Sequence, residues 1–242
     1  MNILNKDFYS LCKPNLSKIV KINNNIFTIK DFFTNFSQAK NFLKDLNKWE
    51  CDSYDFTTKS GVESTLPLLT GRYLQDNSLL KTNVKNFNLH SIDINFLYYG
   101  QRKKFDKLQS SNGTFDLPHH DSIDVPNERK QYVLLINLND YPISTNFWSF
   151  DGNDLMVNDS YMVFIEKINN EYKNQKELLK IPKTLSLDNT ITYEPNQVLI
   201  YNSSLLHNAN IEEKYTYSSP RTTLRLFFSC DSITNASNIN YF

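Results

Sequence analysis

The residues best suited to chemistry in this sequence are His119, Asp121 and His207. Side chains two apart on an extended chain leave by the same face, so an extended His119-His120-Asp121 directs one imidazole and one carboxylate to one side and His120 to the other. A metal needs a further donor, and His207 follows 86 residues after Asp121, just past the strand-like Val198-Leu-Ile-Tyr-Asn202 and a turn over 203–206. Two imidazoles and one carboxylate form the facial triad of non-haem iron, which leaves three coordination positions open. The same donors with a bound water also suit a hydrolytic zinc. A serine hydrolase built from Ser203 or Ser204 with His207 has no G-x-S-x-G elbow to frame the nucleophile. His90 and His120 are read as ordinary solvated or hydrogen-bonded imidazoles, outside the metal set.

The elements that must position these groups are mostly strands. Ile26-Phe27-Thr28-Ile29 predicts a short strand, and residues 30–46 carry Phe32, Phe33, Phe36, Ala39, Phe42, Leu43 and Leu46 at helical spacing with one buried stripe. Over 91–99 Ile92, Ile94, Phe96 and Tyr98 alternate with Asp93, Asn95, Leu97 and Tyr99, which predicts a strand ending at Gly100. The apolar run within 131–139 predicts a buried strand, 149–157 a strand and turn, and 197–202 and 222–229 two more strands. Tyr161, Phe164, Ile165, Ile168, Tyr172 and Leu179 share one helical face and predict an inserted helix over 160–180. In the last strand Arg221, Thr223, Arg225 and Phe227 share the face opposite Thr222, Leu224, Leu226 and Phe228, so the first set is expected to line a site and the second to meet the N-terminal helices. Strands concentrated in the C-terminal two-thirds, with the clear helix early, predict a mainly β fold with supporting helices. The expected architecture is a jelly roll, or double-stranded β-helix, with N-terminal helices on its outer face.

Taken together, Tyr98-Tyr99-Gly100, His119-x-Asp121, the strand ending Leu138-Asn139, His207 and Ser219-Pro220-Arg221 at the opening of the last strand form an ordered series. That order resembles the 2-oxoglutarate and Fe(II) dependent oxygenase superfamily, most nearly its prolyl-hydroxylase-like branch, over roughly residues 91–229. The resemblance implies Fe(II) bound by His119, Asp121 and His207, with 2-oxoglutarate as cosubstrate and dioxygen as substrate. It implies that Arg221 pairs with the distal carboxylate of 2-oxoglutarate and that Tyr98 contacts the cosubstrate, and it places Asn137 where many relatives have another cosubstrate-binding tyrosine. A planar guanidinium suits such a carboxylate independently, through two parallel charge-assisted hydrogen bonds. Arg225, on the same face as Arg221, is the rival anchor or a partner for substrate or a structural carboxylate. Arg221 follows His207 by 14 residues, longer than usual in the family, which predicts an enlarged loop over 208–219. Retention of aspartate at 121 favours hydroxylation over halogenation, because halogenating relatives carry a small residue there.

At 242 residues the chain can bury a full core and is expected to form one domain, with 1–90 as support and 91–229 as the core carrying the site. Lys plus Arg number 26 and Asp plus Glu 26, so no net field favours a polyanion, and nucleic acid is not an expected partner. Cys12, Cys51 and Cys230 are odd in number and far apart, which reads as reduced thiols. The first twenty residues hold no uninterrupted apolar run and no stretch of eighteen apolar residues occurs, so a cytoplasmic protein without a membrane partner is expected. Abundant Asn, Lys and Ile beside five glycines suit an A- and T-rich genome, such as that of a bacteriophage or a streamlined bacterium. The expected substrate is a protein or peptide side chain, an amino acid or a small metabolite. A zinc-dependent hydrolase using the same triad and a non-catalytic jelly-roll binding module are the competing readings.

Overall fold

The computed structural model describes residues 19–52, 55–58, 88–98, 118–121, 130–150, 185–216 and 218–230. From the N-terminal side run β1 (Ile19–Lys21), β2 (Ile26–Ile29), the helix α1 (Phe36–Leu43), a 3-10 turn (Leu46–Lys48), β3 (Trp49–Asp52), β4 (Asp55–Thr58) and β5 (Asn88–Leu97). There follow β6 (Lys130–Asn137), β7 (Ile143–Phe150), β8 (Leu185–Tyr193), β9 (Val198–Asn202), β10 (His207–Asn210) and β11 (Arg221–Cys230). They form two antiparallel sheets, one in the order β1-β2-β9-β6-β11-β5-β4-β3 and the other in the order β10-β7-β8. The molecule is thus mainly β, as the strand pattern predicts, with one α-helix among the described residues.

The larger sheet is covered on both faces, which explains its unbroken apolar runs. On the outer face Ile94, Leu134, Ile136, Val198, Ile200, Leu224, Leu226 and Phe228 pack with Phe32, Phe33, and Ala39 and Leu43 of α1. On the inner face Val133, Leu135, Leu199 and Tyr201 meet Ile143, Phe147, Ile191 and Tyr193 of the smaller sheet. Tyr132 through Ile136 are therefore all buried, alternate residues serving alternate cores. Leu224, Leu226 and Phe228 lie on the helix side, and Arg221 and Thr223 face the space between the sheets.

Helix α1 is shorter than the stripe over 30–46 predicts. Asn35 caps it by accepting a hydrogen bond from the Gln38 N–H at 3.2 Å, and Phe32 and Phe33 are buried ahead of that cap. Asn196 accounts for their position. In the turn between β8 and β9 it adopts φ 63°, a left-handed conformation that asparagine tolerates. Its Oδ1 accepts from the Phe33 N–H at 2.8 Å, its Nδ2 donates to the Phe33 carbonyl at 2.9 Å, and its own carbonyl accepts from the Phe32 N–H at 3.0 Å. The strand expected over 91–99 is β5, which ends at Leu97, and of the strand and turn expected over 149–157 only 149–150, the end of β7, are described, residues 151–157 lying outside the described residues. Residues 208–210, expected in an enlarged loop, are instead paired in β10. The helix expected over 160–180 lies outside the described residues.

Candidate metal centre

His207 opens β10, opposite Phe147 of β7. On its other side it forms an antiparallel bridge with His119, through His119 N–H to the His207 carbonyl at 2.8 Å and His207 N–H to the His119 carbonyl at 3.0 Å. Directly opposed residues on neighbouring strands project to the same face, so the bridge sets the imidazoles together, ring centroids 4.7 Å apart. Residues 118–121 continue along this edge, where the Asp121 N–H donates to the Ser203 carbonyl at 3.1 Å. Alternation then brings the Asp121 carboxylate to the imidazoles, with Oδ2 3.0 Å from His207 Nε2 and Oδ1 3.5 Å from His119 Nε2. One donor atom from each of His119, Asp121 and His207 lies within 4.8 Å of the others, a separation that a single ion can span.

The three differ in their access to water, the side chains of His119, Asp121 and His207 being 41 %, 16 % and 6 % exposed. His207 is held by its Nδ1–H, which donates to the Leu205 carbonyl at 2.9 Å and turns Nε2 toward the site. Burial opposes ionisation of Asp121, yet His207 and His119 outweigh it and hold the carboxyl well below the usual carboxylate range. It is an anion at neutral pH, as a metal ligand must be. His120 falls between the two ligands, does not line the cavity beside them, and has its pKa drawn down to about 4, chiefly by burial.

That cavity lies between the two sheets and opens to solvent. His119, Asp121 and His207 line it together with Asn95, Thr145, Tyr201, Arg221, Thr223 and Arg225. Arg221, 2 % exposed, donates from Nη2 to the Tyr193 hydroxyl at 2.9 Å, and to Thr145 Oγ1 and the Ser144 carbonyl at 3.3 Å each. Its Nε is buried without a hydrogen-bond partner. A buried guanidinium hydrogen-bonded through Nη2 alone, to two hydroxyls and a carbonyl, and with no carboxylate on it among the described residues, fits a carboxylate ligand arriving through the cavity. Arg225 is already engaged, its Nε 2.6 Å from Oδ1 of the buried Asp93, so of the three roles expected for it the pairing with a structural carboxylate is the one seen.

Two other residues from the sequence reading stand elsewhere. Tyr98 lies one residue beyond β5 and is not among the residues that line the cavity. Asn137 has its side chain committed to the fold: Nδ2 donates to the carbonyls of Tyr141 at 2.9 Å and Tyr193 at 3.1 Å, and Oδ1 accepts from the Asn139 N–H and Nδ2 at 2.8 Å each. It pins the turns that follow β6 and β8 and is not offered to a ligand. Conversely, Thr145, Tyr193 and Tyr201 reach the site without having been singled out in the sequence. Tyr201 is the most intimate, its hydroxyl 2.9 Å from His207 Nε2, and burial followed by the Asp121 charge holds the phenol well above its usual pKa.

No protein-family model and no curated protein matches the chain. Among solved structures it is similar to iron-bound HygX from Streptomyces hygroscopicus, at 12 % identity over 86 % of this chain and 82 % of that one, with a TM-score of 0.48. It is also similar to the Kdo hydroxylase KdoO, a non-haem Fe(II) α-ketoglutarate dependent dioxygenase, in complex with α-ketoglutarate and Fe(III), at 12 % identity over 94 % and 83 % with a TM-score of 0.45. A third is apo EctD from S. alaskensis, at 9 % identity over 86 % and 73 % with a TM-score of 0.45. Likeness this remote concerns the path of the backbone and nothing of its chemistry.

Proposed function

We propose that this chain is a non-haem Fe(II) and 2-oxoglutarate dependent dioxygenase that hydroxylates an unactivated C–H bond of a protein or peptide side chain, an amino acid or a small metabolite. The observation that carries the reading is the union, in one cavity, of the His119, Asp121 and His207 donors with a buried Arg221 whose Nε is unpartnered. Two imidazoles and one carboxylate suit a six-coordinate iron and leave room for a chelating cosubstrate. Iron, 2-oxoglutarate and dioxygen together supply an oxidation strong enough for such a C–H bond, with release of succinate and carbon dioxide.

The chain's own residues have separable tasks. His119, Asp121 and His207 hold the ion, and the Leu205 carbonyl fixes the His207 tautomer that presents Nε2. Arg221, clamped through Nη2 by Thr145, Tyr193 and the Ser144 carbonyl, offers its charge to the distal carboxylate of the cosubstrate at the deep side of the cavity. Leu97, Leu135 and Ala209 complete the cavity wall with apolar surface, which limits the water beside the reacting groups. The prolyl-hydroxylase-like motif order keeps a peptidyl side chain among the substrates, and of the loops expected to read the substrate, 101–117, 125–130 and 208–219, residues 101–117 and 125–129 lie outside the described residues.

The test is anaerobic addition of Fe(II) and then 2-oxoglutarate to the apoprotein. The expected result is a weak visible charge-transfer band that requires both additions and is lost in His207→Ala. Iron binding with no such band and no displacement by 2-oxoglutarate would overturn the oxygenase reading and leave a metal hydrolase or binding module.

A further inference from the structure

Tyr201, on β9, places its hydroxyl 2.9 Å from His207 Nε2 and 3.4 Å from Asp121 Oδ2. Its ring is buried, edge-on to Phe147 with centroids 5.3 Å apart and against His207 at 4.6 Å. With Nδ1–H donating to the Leu205 carbonyl, a neutral His207 carries its lone pair on Nε2, where the phenol can donate to it. A metal on Nε2 takes that lone pair away from the phenol. A buried hydroxyl stripped of its acceptor is unfavourable, and Asp121 Oδ2 already stands at the margin of hydrogen-bond distance.

Resting on the metal-centre reading above, we propose that Tyr201 is a positioning residue: its hydroxyl holds Asp121 Oδ2, so that the carboxylate meets the metal through Oδ1 alone. Oδ1 is the oxygen on the His119 side, 3.5 Å from His119 Nε2, so the two oxygens are already divided between different neighbours. The consequence concerns coordination number. A carboxylate bound through one oxygen leaves three of six positions open, two for a chelating oxo acid and one for dioxygen, whereas one bound through both oxygens leaves only two. Tyr201 thereby keeps open the position that the chemistry needs.

The experiment uses manganese(II) as the probe ion, because water proton relaxation of the loaded protein counts the waters on the metal. Wild type is expected to hold three, and Tyr201→Phe, which keeps the ring and removes the donor, two, so that inner-sphere relaxation falls by about a third. Tyr201→Leu, read the same way, serves if the phenylalanine variant is not recovered folded. An unchanged water number in a folded variant overturns the inference. Addition of 2-oxoglutarate to loaded wild type separates this from the oxygenase reading: loss of two waters supports that reading. Three waters that 2-oxoglutarate does not displace overturn the oxygenase reading, while a fall to two in Tyr201→Phe still supports the role of Tyr201. Wild type that binds no manganese overturns both.

Discussion

Arg221 is the residue on which the proposed choice of 2-oxoglutarate as cosubstrate turns. Its charge is buried with only hydroxyl and carbonyl acceptors, so an arriving carboxylate would find a partner of opposite sign that has not been neutralised beforehand. Removing the guanidinium leaves that carboxylate partly desolvated, a loss of about 2–5 kcal/mol, or roughly 30-fold to a few thousand-fold in 2-oxoglutarate affinity. Calorimetric titration of anaerobic iron-loaded Arg221→Ala should show that loss with iron affinity nearly unchanged, and Arg221→Lys should fall between, since the charge survives and the planar fork does not. Arg225→Ala should leave 2-oxoglutarate affinity near wild type, because Arg225 is paired with Asp93. Loss in Arg225→Ala with normal binding in Arg221→Ala would transfer the anchor to Arg225. At this scale the convergence of His119, Asp121 and His207 and the cavity-facing side of Arg221 were legible, because residue type and strand alternation carry meaning locally. Tyr193, Tyr201 and Thr145 were not, since each reads as an ordinary inward strand residue until the facing sheet brings it to the cavity. Asn137 shows the reverse: positional resemblance suggested ligand contact, and local hydrogen bonding commits its side chain to the fold.

Between elements, the join of α1 to the sheet depends on Asn196, whose side chain pairs with both backbone groups of Phe33. Two contributions are combined there, the left-handed backbone at φ 63° and the two buried hydrogen bonds. They separate by substitution. Asn196→Gly keeps the backbone freedom and loses the hydrogen bonds, leaving the buried Phe33 N–H without an acceptor, at about 1–3 kcal/mol. Asn196→Ala loses the same bonds and adds roughly 1–2 kcal/mol for the left-handed conformation. Urea unfolding should therefore rank wild type above Gly above Ala, and equal stability of the two variants would remove the backbone contribution. The strands show why such joins escape a reading of the sequence. β6 and β9 announce themselves by apolar runs, but β10 is His207-Asn-Ala-Asn210 and β8 buries only Leu185, Ile191 and Tyr193 of its nine residues. They are strands because β7 pairs with both, a non-local cause that composition does not record.

For the whole molecule, the site ties the two sheets together, and this gives a stability signature that needs no substrate. His207 belongs to the smaller sheet and His119 bridges to it, whereas Arg221 belongs to β11 in the larger sheet. A metal alone would therefore act at one side of the cavity, and on the proposed function 2-oxoglutarate bound to it would span to the other. A ligand that binds only the folded state stabilises it by about 2.7 kcal/mol at a hundredfold excess over its Kd. For a protein of this size each kcal/mol raises Tm by roughly 2–4 °C, so each saturating ligand should add about 5–11 °C. Anaerobic melting should show one rise with Fe(II) or Mn(II) and a second with 2-oxoglutarate only when metal is present, because the cosubstrate chelates the ion. His207→Ala should lose both rises. Arg221→Ala should keep the first and lose most of the second, since its metal donors are intact while the far end of the span is gone. A 2-oxoglutarate rise of equal size without metal would mean that the dicarboxylate is held by the arginines alone, and the assignment of the cavity to a metal-chelated cosubstrate would fail.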